Sequence, residues 1–484
     1  MSRLRLWRTF AAAVVLTAAL GDCATNPVTG RREVSIVTPA QELEIGRQGY
    51  GPVTEEYGLY GDAALSAYVN SVGQKVAHVS HLPDLEWHFT ILDDPTVNAF
   101  AMPGGYIYIT RGILPYLNSE AQLAGVLGHE CGHVTHRHTA AQMTQQQLFG
   151  VGLALGSIVS PTFARYSGAA GQALGLLFLK FSRTDETQAD ELGVDYATKA
   201  GYDSREIPAT YAMLKRISDQ GGQRLPTFLE THPDPGNRET VTTALANKAV
   251  AGKTGLIINH DVYIRHVDGI LFGQDPRQGY FVGDTYFHPT LGFQLTFPAG
   301  WLHQDTHASV AAGEPNQAAV VQLTVAPEAG TLTPEAYVAQ LVTKGSITNS
   351  NGARETIGGY SAWVGRITVT PQDQSPTTLV AAFIRKDSAL FQILGQSKQA
   401  GDVYEQRIFS TIRSFGNLTD PARINVTPDR VRVSTVNTAA AFGTVVTGLG
   451  AKPADLETDA IMNNVQTTDR VVAGTLVKVL VRLH

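Results

Sequence analysis

The stretch GVLGHECGHVTHRH, residues 125–138, sets four histidines and a glutamate in a short run flanked by apolar residues. Just upstream, Ser119 with Gln122 three residues on has the spacing of a capping box, and Glu120 suits the positive end of a helix dipole. A helix is therefore expected from there to about His138. On that helix His129 and His133 stand four apart and share a face, so their imidazoles can grip one metal ion. Glu130 lies beside them, where a carboxylate can take a proton from an activated water. Cys131 falls about 200° round the helix from His129 and should face the core. The same letters could arise by chance or as a solvated histidine cluster, so the context has to decide.

A catalytic zinc with an open position takes three protein ligands. A glycine three residues past His133 and a histidine three further on would complete one known pattern, but His136 and Thr139 occupy those places. The other source is a carboxylate on a later helix, and DETQAD (residues 185–190) offers one. Along that helix Glu186, Asp190, Gly193 and Ala197 are spaced four, three and four apart, hence on one face. The two small residues allow close packing against a second helix. Glu186 is then the expected third ligand of one Zn2+, and Asp190 the group that orients a ligand histidine through its free ring N–H. His136 and His138 read as helix-end cations or hydrogen-bonded core residues.

The remaining chain is organised around this segment. Arg3, Arg5 and Arg8 precede an apolar run from Phe10 to Leu20, the form of an export signal over residues 1–22. Asp22 stands where a lipoprotein signal has a small residue, so both lipid attachment at Cys23 and ordinary cleavage after Gly21 fit. Residues 23–60 read as an irregular leader and 61–262 as the mainly helical metal-binding domain. Within the latter, two apolar, Gly- and Ala-rich runs between 145 and 181 are too short to span a bilayer and read as a helical hairpin. From 263 to 416 alternating apolar residues, as in GFQLTFPAGW, predict an antiparallel sheet with two helices. NLTDPAR (417–423) reads as a linker, and residues 423–484 as a small C-terminal module. The fold class expected is thus multidomain α+β. A net charge of −6 gives no basic footprint for nucleic acid.

Four stretches in order, NAFAMPGGYIYIT, GHECGHVTHRH, SRTDETQAD and THPDPGNR, resemble the gluzincin metalloendopeptidases, which include the CAAX prenyl proteases and bacterial envelope proteases. CATNPVTGR likewise resembles the start of mature bacterial members. The resemblance implies one zinc held by His129, His133 and Glu186, with Glu130 as general base. It also implies that Asn98, Ala99, Phe100 and Ala101 form an edge strand to which a peptide adds. His232 is expected to approach the zinc, as a resting ligand or oxyanion partner, and Arg238 to anchor its loop. Family members often carry a second glutamate where this chain has Gln188, a change expected to alter surface charge more than chemistry. Proteins or peptides are the implied partners, in the periplasm, with outer-membrane or peptidoglycan association a further expectation. The sheet-rich region resembles a Mog1- or PsbP-like sandwich and the tail a LysM-like module. A latched zinc-binding chaperone, or a wall adaptor acting through its C-terminal half, would account for the same motifs.

Overall fold

The computed structural model describes residues 23–148, 176, 179–220, 227–233, 237–370, 376–398 and 401–482. The expected export signal and most of the apolar hairpin lie outside the described residues, as does the side chain of Cys23. The chain divides into two units, residues up to 273 with 430–481, and residues 274–429 with the last few residues.

The first unit opens with a short hairpin, β1 (Cys23–Thr25) against β2 (Arg32–Val34). Then comes α1 (Pro39–Tyr57), within the stretch expected to be an irregular leader. Thr38 and Gln41 close a capping box there, and Pro39 opens the first turn. Pro52 and three glycines inside the helix obscure its pattern in the sequence. Helix α2 (Ala63–His78) buries Leu65, Val69, Val72 and Val76 along one stripe. A three-stranded sheet follows in the order β3 (His88–Leu92), β5 (Tyr106–Thr110), β4 (Ala99–Met102). Strand β3 runs parallel to β5 and β4 antiparallel to it, so β4 is an outer strand. Helices α3 (Glu120–Thr135), α4 (His138–Leu148), α5 (Arg183–Lys199), α6 (Pro208–Gln220), α7 (Thr227–Thr231), α8 (Arg238–Val250) and α9 (His260–His266) complete this part.

The strands of the second unit are β6 (Tyr280–Val282), β7 (Thr285–His288), β8 (Phe293–Thr296), β9 (Leu302–Asp305), β10 (Ser309–Gly313), β11 (Ala319–Val325), β12 (Asn349–Ile357), β13 (Tyr360–Val369), β14 (Thr377–Lys386), β15 (Ala389–Ser397) and β16 (Gly416–Asn417). They form a seven-stranded sheet in the order β12-β13-β14-β15-β11-β10-β9 and a four-stranded sheet in the order β16-β8-β7-β6. Period-two alternation sorts the side chains between two cores. Ala381 and Phe383 of β14 join one cluster with Tyr337 and Val338 of α10 (Pro334–Thr343). Val380, Ala382 and Ile384 join another with Ile408 and Ile412 of α11 (Val403–Arg413).

The last segment rejoins the first unit, rather than standing as a module of its own. It runs β17 (Arg430–Thr435), β18 (Ala440–Ala441), α12 (Phe442–Gly448), α13 (Leu456–Met462), β19 (Arg470–Val471), β20 (Leu476–Val481), with β17 antiparallel to β20. Val431, Ile461, Met462, Leu476 and Leu480 share the core that holds Leu123 and Leu127 of α3. Lys478, wholly buried, donates from Nζ to the carbonyls of Pro115 and Leu117 at 2.7 and 2.6 Å. Apolar positions on both faces of the segment explain the docking: one face fills its own small core, the other the core of α3.

Candidate metal centre

Helix α3 is buried along its whole length. Ser119 Oγ accepts from the Gln122 amide at 3.1 Å, while the Gln122 side chain accepts from Asn118 N rather than closing a full capping box. Cys131 lies in the core, as its position round the helix predicts, with its thiol pushed up by burial. Small residues bring α3 and α5 together. A Cβ on Gly193 would sit 3.0 Å from His129 N, and one on Gly128 would sit 3.1 Å from Gly193 O. A Cβ on Gly132 would lie 3.2 Å from Ala189 Cα. The two backbones therefore touch along the turn that carries the histidines, and Glu186 is delivered to them.

His129 Nε2 and His133 Nε2 are 3.0 Å apart. Glu186 Oε2 lies 3.5 Å from the first and Oε1 lies 3.6 Å from the second. His232, just past α7, brings Nδ1 to 3.4 Å from His129 Nε2 and 3.0 Å from Glu186 Oε1. The ligand atoms of these four buried residues all lie within 4.8 Å of one another. Donors about 2.0–2.1 Å from a tetrahedral ion stand roughly 3.3–3.5 Å apart, so this donor set fits zinc. Phe228 stacks on the His232 ring with centroids 4.5 Å apart, and Phe181 covers His133 at 4.0 Å.

The surroundings hold these groups in place. His129 Nδ1 lies 2.9 Å from Asp190 Oδ1. Asp190 accepts from Arg238 Nε at 2.8 Å and Nη2 at 2.5 Å, and from Tyr211 OH at 2.6 Å. Burial pushes the Asp190 carboxyl up, but Arg238 and His129 outweigh it and hold the group well below the ordinary range. Arg238 Nη1 also lies 2.9 Å from Glu186 Oε2. Burial raises Glu186 in the same way, and His232, His129 and Arg238 overcome it, leaving an ionised carboxylate. His133, buried and beside other cationic groups, is held neutral.

Glu130 has no such partners, and Glu186 Oε2 and Arg238 Nη1, though 2.9 Å apart, are also buried without a hydrogen bond among the described residues. Glu130 is fully buried, and neither carboxylate oxygen has a hydrogen-bond partner among the described residues. His232 Nε2, likewise without one, is 3.8 Å from Glu130 Oε1. Burial raises the Glu130 carboxyl above its usual range. A buried polar atom without a partner costs about 1–3 kcal/mol, a cost that native folds carry where the group has a catalytic role or takes a water or ion.

Two residues near the site sharpen the sequence expectation. Of the two readings of His138 the second holds: it is a buried, hydrogen-bonded core residue, its pKa lowered by that burial to about 4 and its Nδ1 2.9 Å from His133 Nδ1. Gln188 is half-buried, and its Oε1 lies 3.0 Å from His138 Nε2. Helical periodicity misplaces His138 because Arg137 has φ 60°, a left-handed step that ends α3 and redirects the chain. Arg137 is fixed there by a buried pair with Glu42 of α1 and by the Val37 carbonyl. Asn98, Ala99, Phe100 and Ala101 lie at and along β4, which pairs only with β5 among the described strands. Asn98 Oδ1 is buried with no partner among the described residues.

Residues 63–244 match the model of peptidase family M48. The mitochondrial metalloendopeptidase OMA1 of Arabidopsis thaliana is 35% identical over 191 residues, 37% of this chain and 38% of that one. The beta-barrel assembly-enhancing protease of Escherichia coli strain K12 is 31% identical over 234 residues, 46% and 47% of the two chains. The OMA1 metalloendopeptidase of Schizosaccharomyces pombe is 33% identical over 220 residues, 44% and 63%. The chain thus spans only part of the length of the curated relatives it matches. The solution structure of a cyanobacterial PsbP from Synechocystis covers 28% of this chain and 94% of its own at 14% identity. Its TM-score is 0.23.

Proposed function

Since residues 63–244 carry a peptidase family M48 domain, we propose that the chain is a zinc metalloendopeptidase acting on proteins of a bacterial envelope, misfolded ones among them. The observation that carries this reading is the pairing of four converging buried donors with a buried carboxylate that has no hydrogen-bond partner of its own among the described residues. His129, His133 and Glu186 would hold one zinc, which when bound supplies Lewis acidity to a carbonyl oxygen and acidifies water. Glu130 would take the proton of the attacking water and pass it to the departing amine. The raised pKa of its carboxyl suits that double duty, since the protonated form must be reachable at neutral pH.

His232 would act as a latch. Its Nδ1 lies 3.0 Å from Glu186 Oε1 and 3.4 Å from His129 Nε2, and with a substrate carbonyl bound beside those groups it would have to swing away before cleavage. Arg238 would anchor the loop and, through Asp190, the His129 ring. An extended peptide would add to the outer edge of β4, at Asn98, Ala99, Phe100 and Ala101. Export to the periplasm, a lipid at Cys23 and outer-membrane or peptidoglycan association belong to the same proposal. So do a Mog1- or PsbP-like second unit and a LysM-like tail, the latter on the two helices α12 and α13 set between the paired strands β17 and β20.

Cleavage of an unfolded casein by the zinc-loaded chain tests this reading. The parent should cleave slowly, His232→Ala faster, and Glu130→Gln not at all while keeping its zinc. A Glu130→Gln protein that cleaves as fast as the parent would remove Glu130 from the base role. Zinc-bound parent and His232→Ala proteins that both leave casein intact would favour a zinc-binding chaperone instead.

A further inference from the structure

Leading outward from His133 is a contact chain that no part of the proposed mechanism uses. His133 Nδ1 lies 2.9 Å from His138 Nδ1, and His138 Nε2 lies 3.0 Å from Gln188 Oε1. His133 and His138 are both buried. We propose that His138, fixed by Gln188, is a positioning residue that holds the His133 ring in the tautomer able to bind metal. The inference rests on the metal-centre reading above and extends it to the His133 side, where the carboxylate facing His138 is that of Asp185, its Oδ1 3.8 Å from Nε2 and beyond hydrogen-bond reach.

A neutral imidazole carries one N–H, so two facing ring nitrogens can share one proton only. If His133 is to present a lone pair from Nε2, its proton must sit on Nδ1. That proton is then donated to His138 Nδ1, which has to be bare. The His138 proton is thereby placed on Nε2, pointing at Gln188 Oε1, which accepts it. With Gln188 Oε1 as the acceptor, this is the pattern that satisfies every contact. Turning the Gln188 amide so that its NH2 faces His138 would reverse the sequence. His138 would then donate from Nδ1, and the His133 proton would move to Nε2, which lies 3.0 Å from His129 Nε2. The lone pair would be lost from the metal side.

The two ligand histidines are thus held differently. His129 faces the carboxylate of Asp190, an acceptor in its ionised form, braced by Arg238 and Tyr211. His133 faces a neutral ring whose own orientation depends on an amide that could face either way. Residue 188 therefore sets the proton pattern of a ligand it does not touch. Glutamate there can only accept from His138 and enforces the binding tautomer. Lysine can only donate and enforces the blocked one.

The test uses the full chain with three readouts: zinc affinity by competition with a chromophoric chelator, melting of the metal-free protein, and ring-nitrogen 15N shifts of the histidines. His138→Leu should weaken zinc binding roughly 10- to 100-fold, the usual cost of losing an outer-shell partner. His138→Asn, which restores an acceptor, should recover most of it. Gln188→Glu should bind at least as tightly as the parent, and Gln188→Lys more weakly, with the His133 proton displaced from Nδ1 in the lysine variant alone. Equal zinc affinity in His138→Leu and the parent would overturn the proposal. So would matching losses in Gln188→Glu and Gln188→Lys, which a merely structural role predicts, or a His133 proton on Nε2 in the metal-free parent. A parent that binds zinc but cleaves nothing would defeat the peptidase reading alone. A parent that binds none would defeat the metal centre, and the 15N spectrum would still decide the tautomer.

Discussion

Glu130→Gln should make the metal-free protein more stable while it removes the chemistry. The carboxylate is fully buried with both oxygens unpartnered among the described residues, and burial raises its pKa. An amide of the same shape removes the buried charge and leaves the packing intact. The amide stays unpaired in the same place, so the gain is only the extra penalty that the charge adds, about 1–3 kcal/mol. At about 2–4 °C per kcal/mol for a unit of this size, melting should rise by roughly 2 to 12 °C at pH 8. The pH dependence has a definite sign. A carboxyl whose folded pKa is raised contributes stability that is present below its unfolded pKa and lost as pH rises through the folded one. The parent should therefore weaken with rising pH relative to the variant, and the gap between them should close toward pH 4. Scanning calorimetry in EDTA across pH 4 to 8 measures it. A gap that is absent at pH 8, or that shrinks as pH rises, would show that Glu130 has a hydrogen-bonded partner and would refute the reasoning.

Gly193→Val would push a branched side chain against the His129 backbone, starting from a Cβ only 3.0 Å away. It should cost about 1–3 kcal/mol by overpacking and should weaken zinc binding, read by denaturation with and without zinc. Lys478→Ala would leave the Pro115 and Leu117 carbonyls unpaired beneath the start of α3. A loss of about 2–5 kcal/mol in urea is expected from the cavity and the two orphaned acceptors. Asp305 is raised to about 7 by burial, which outweighs the hydrogen bond it accepts from the Tyr286 hydroxyl. The second unit should therefore lose stability as pH climbs from about 4 to 7, since each tenfold change in proton affinity is worth about 1.4 kcal/mol. Asp305→Asn should flatten that profile in pH-dependent unfolding.

Much of the candidate metal centre could be read from spacing, because one helix and its 3.6-residue period fix His129, Glu130 and His133. The face formed by Glu186, Asp190, Gly193 and Ala197 was legible for the same reason, and the glycine contacts between α3 and α5 give that face its meaning. Which of its two readings His138 takes was not, since the left-handed Arg137 step breaks the period just before it. Gln188 could be seen as a departure from related sequences, but its consequence depends on where that break sends His138. The helix at 39–57 was hidden by its glycines and proline, although Thr38, Pro39 and Gln41 spell its start. In the second unit, alternation gave the strands but not their order, because the pairing of β11 with β15 joins segments distant in the chain. The C-terminal segment carries apolar residues on two faces, and only the fold tells which of them meets α3.

Zinc-edge X-ray absorption on the purified full chain tests the central claim most directly. One zinc per chain is expected, with nitrogen and oxygen ligands at about 2.0–2.1 Å and imidazole scattering from at least two histidines. The ion should be lost in the His129→Ala, Glu186→Ala double variant. A sulfur ligand at about 2.3 Å, or a chain that stays metal-free in excess zinc, would contradict it.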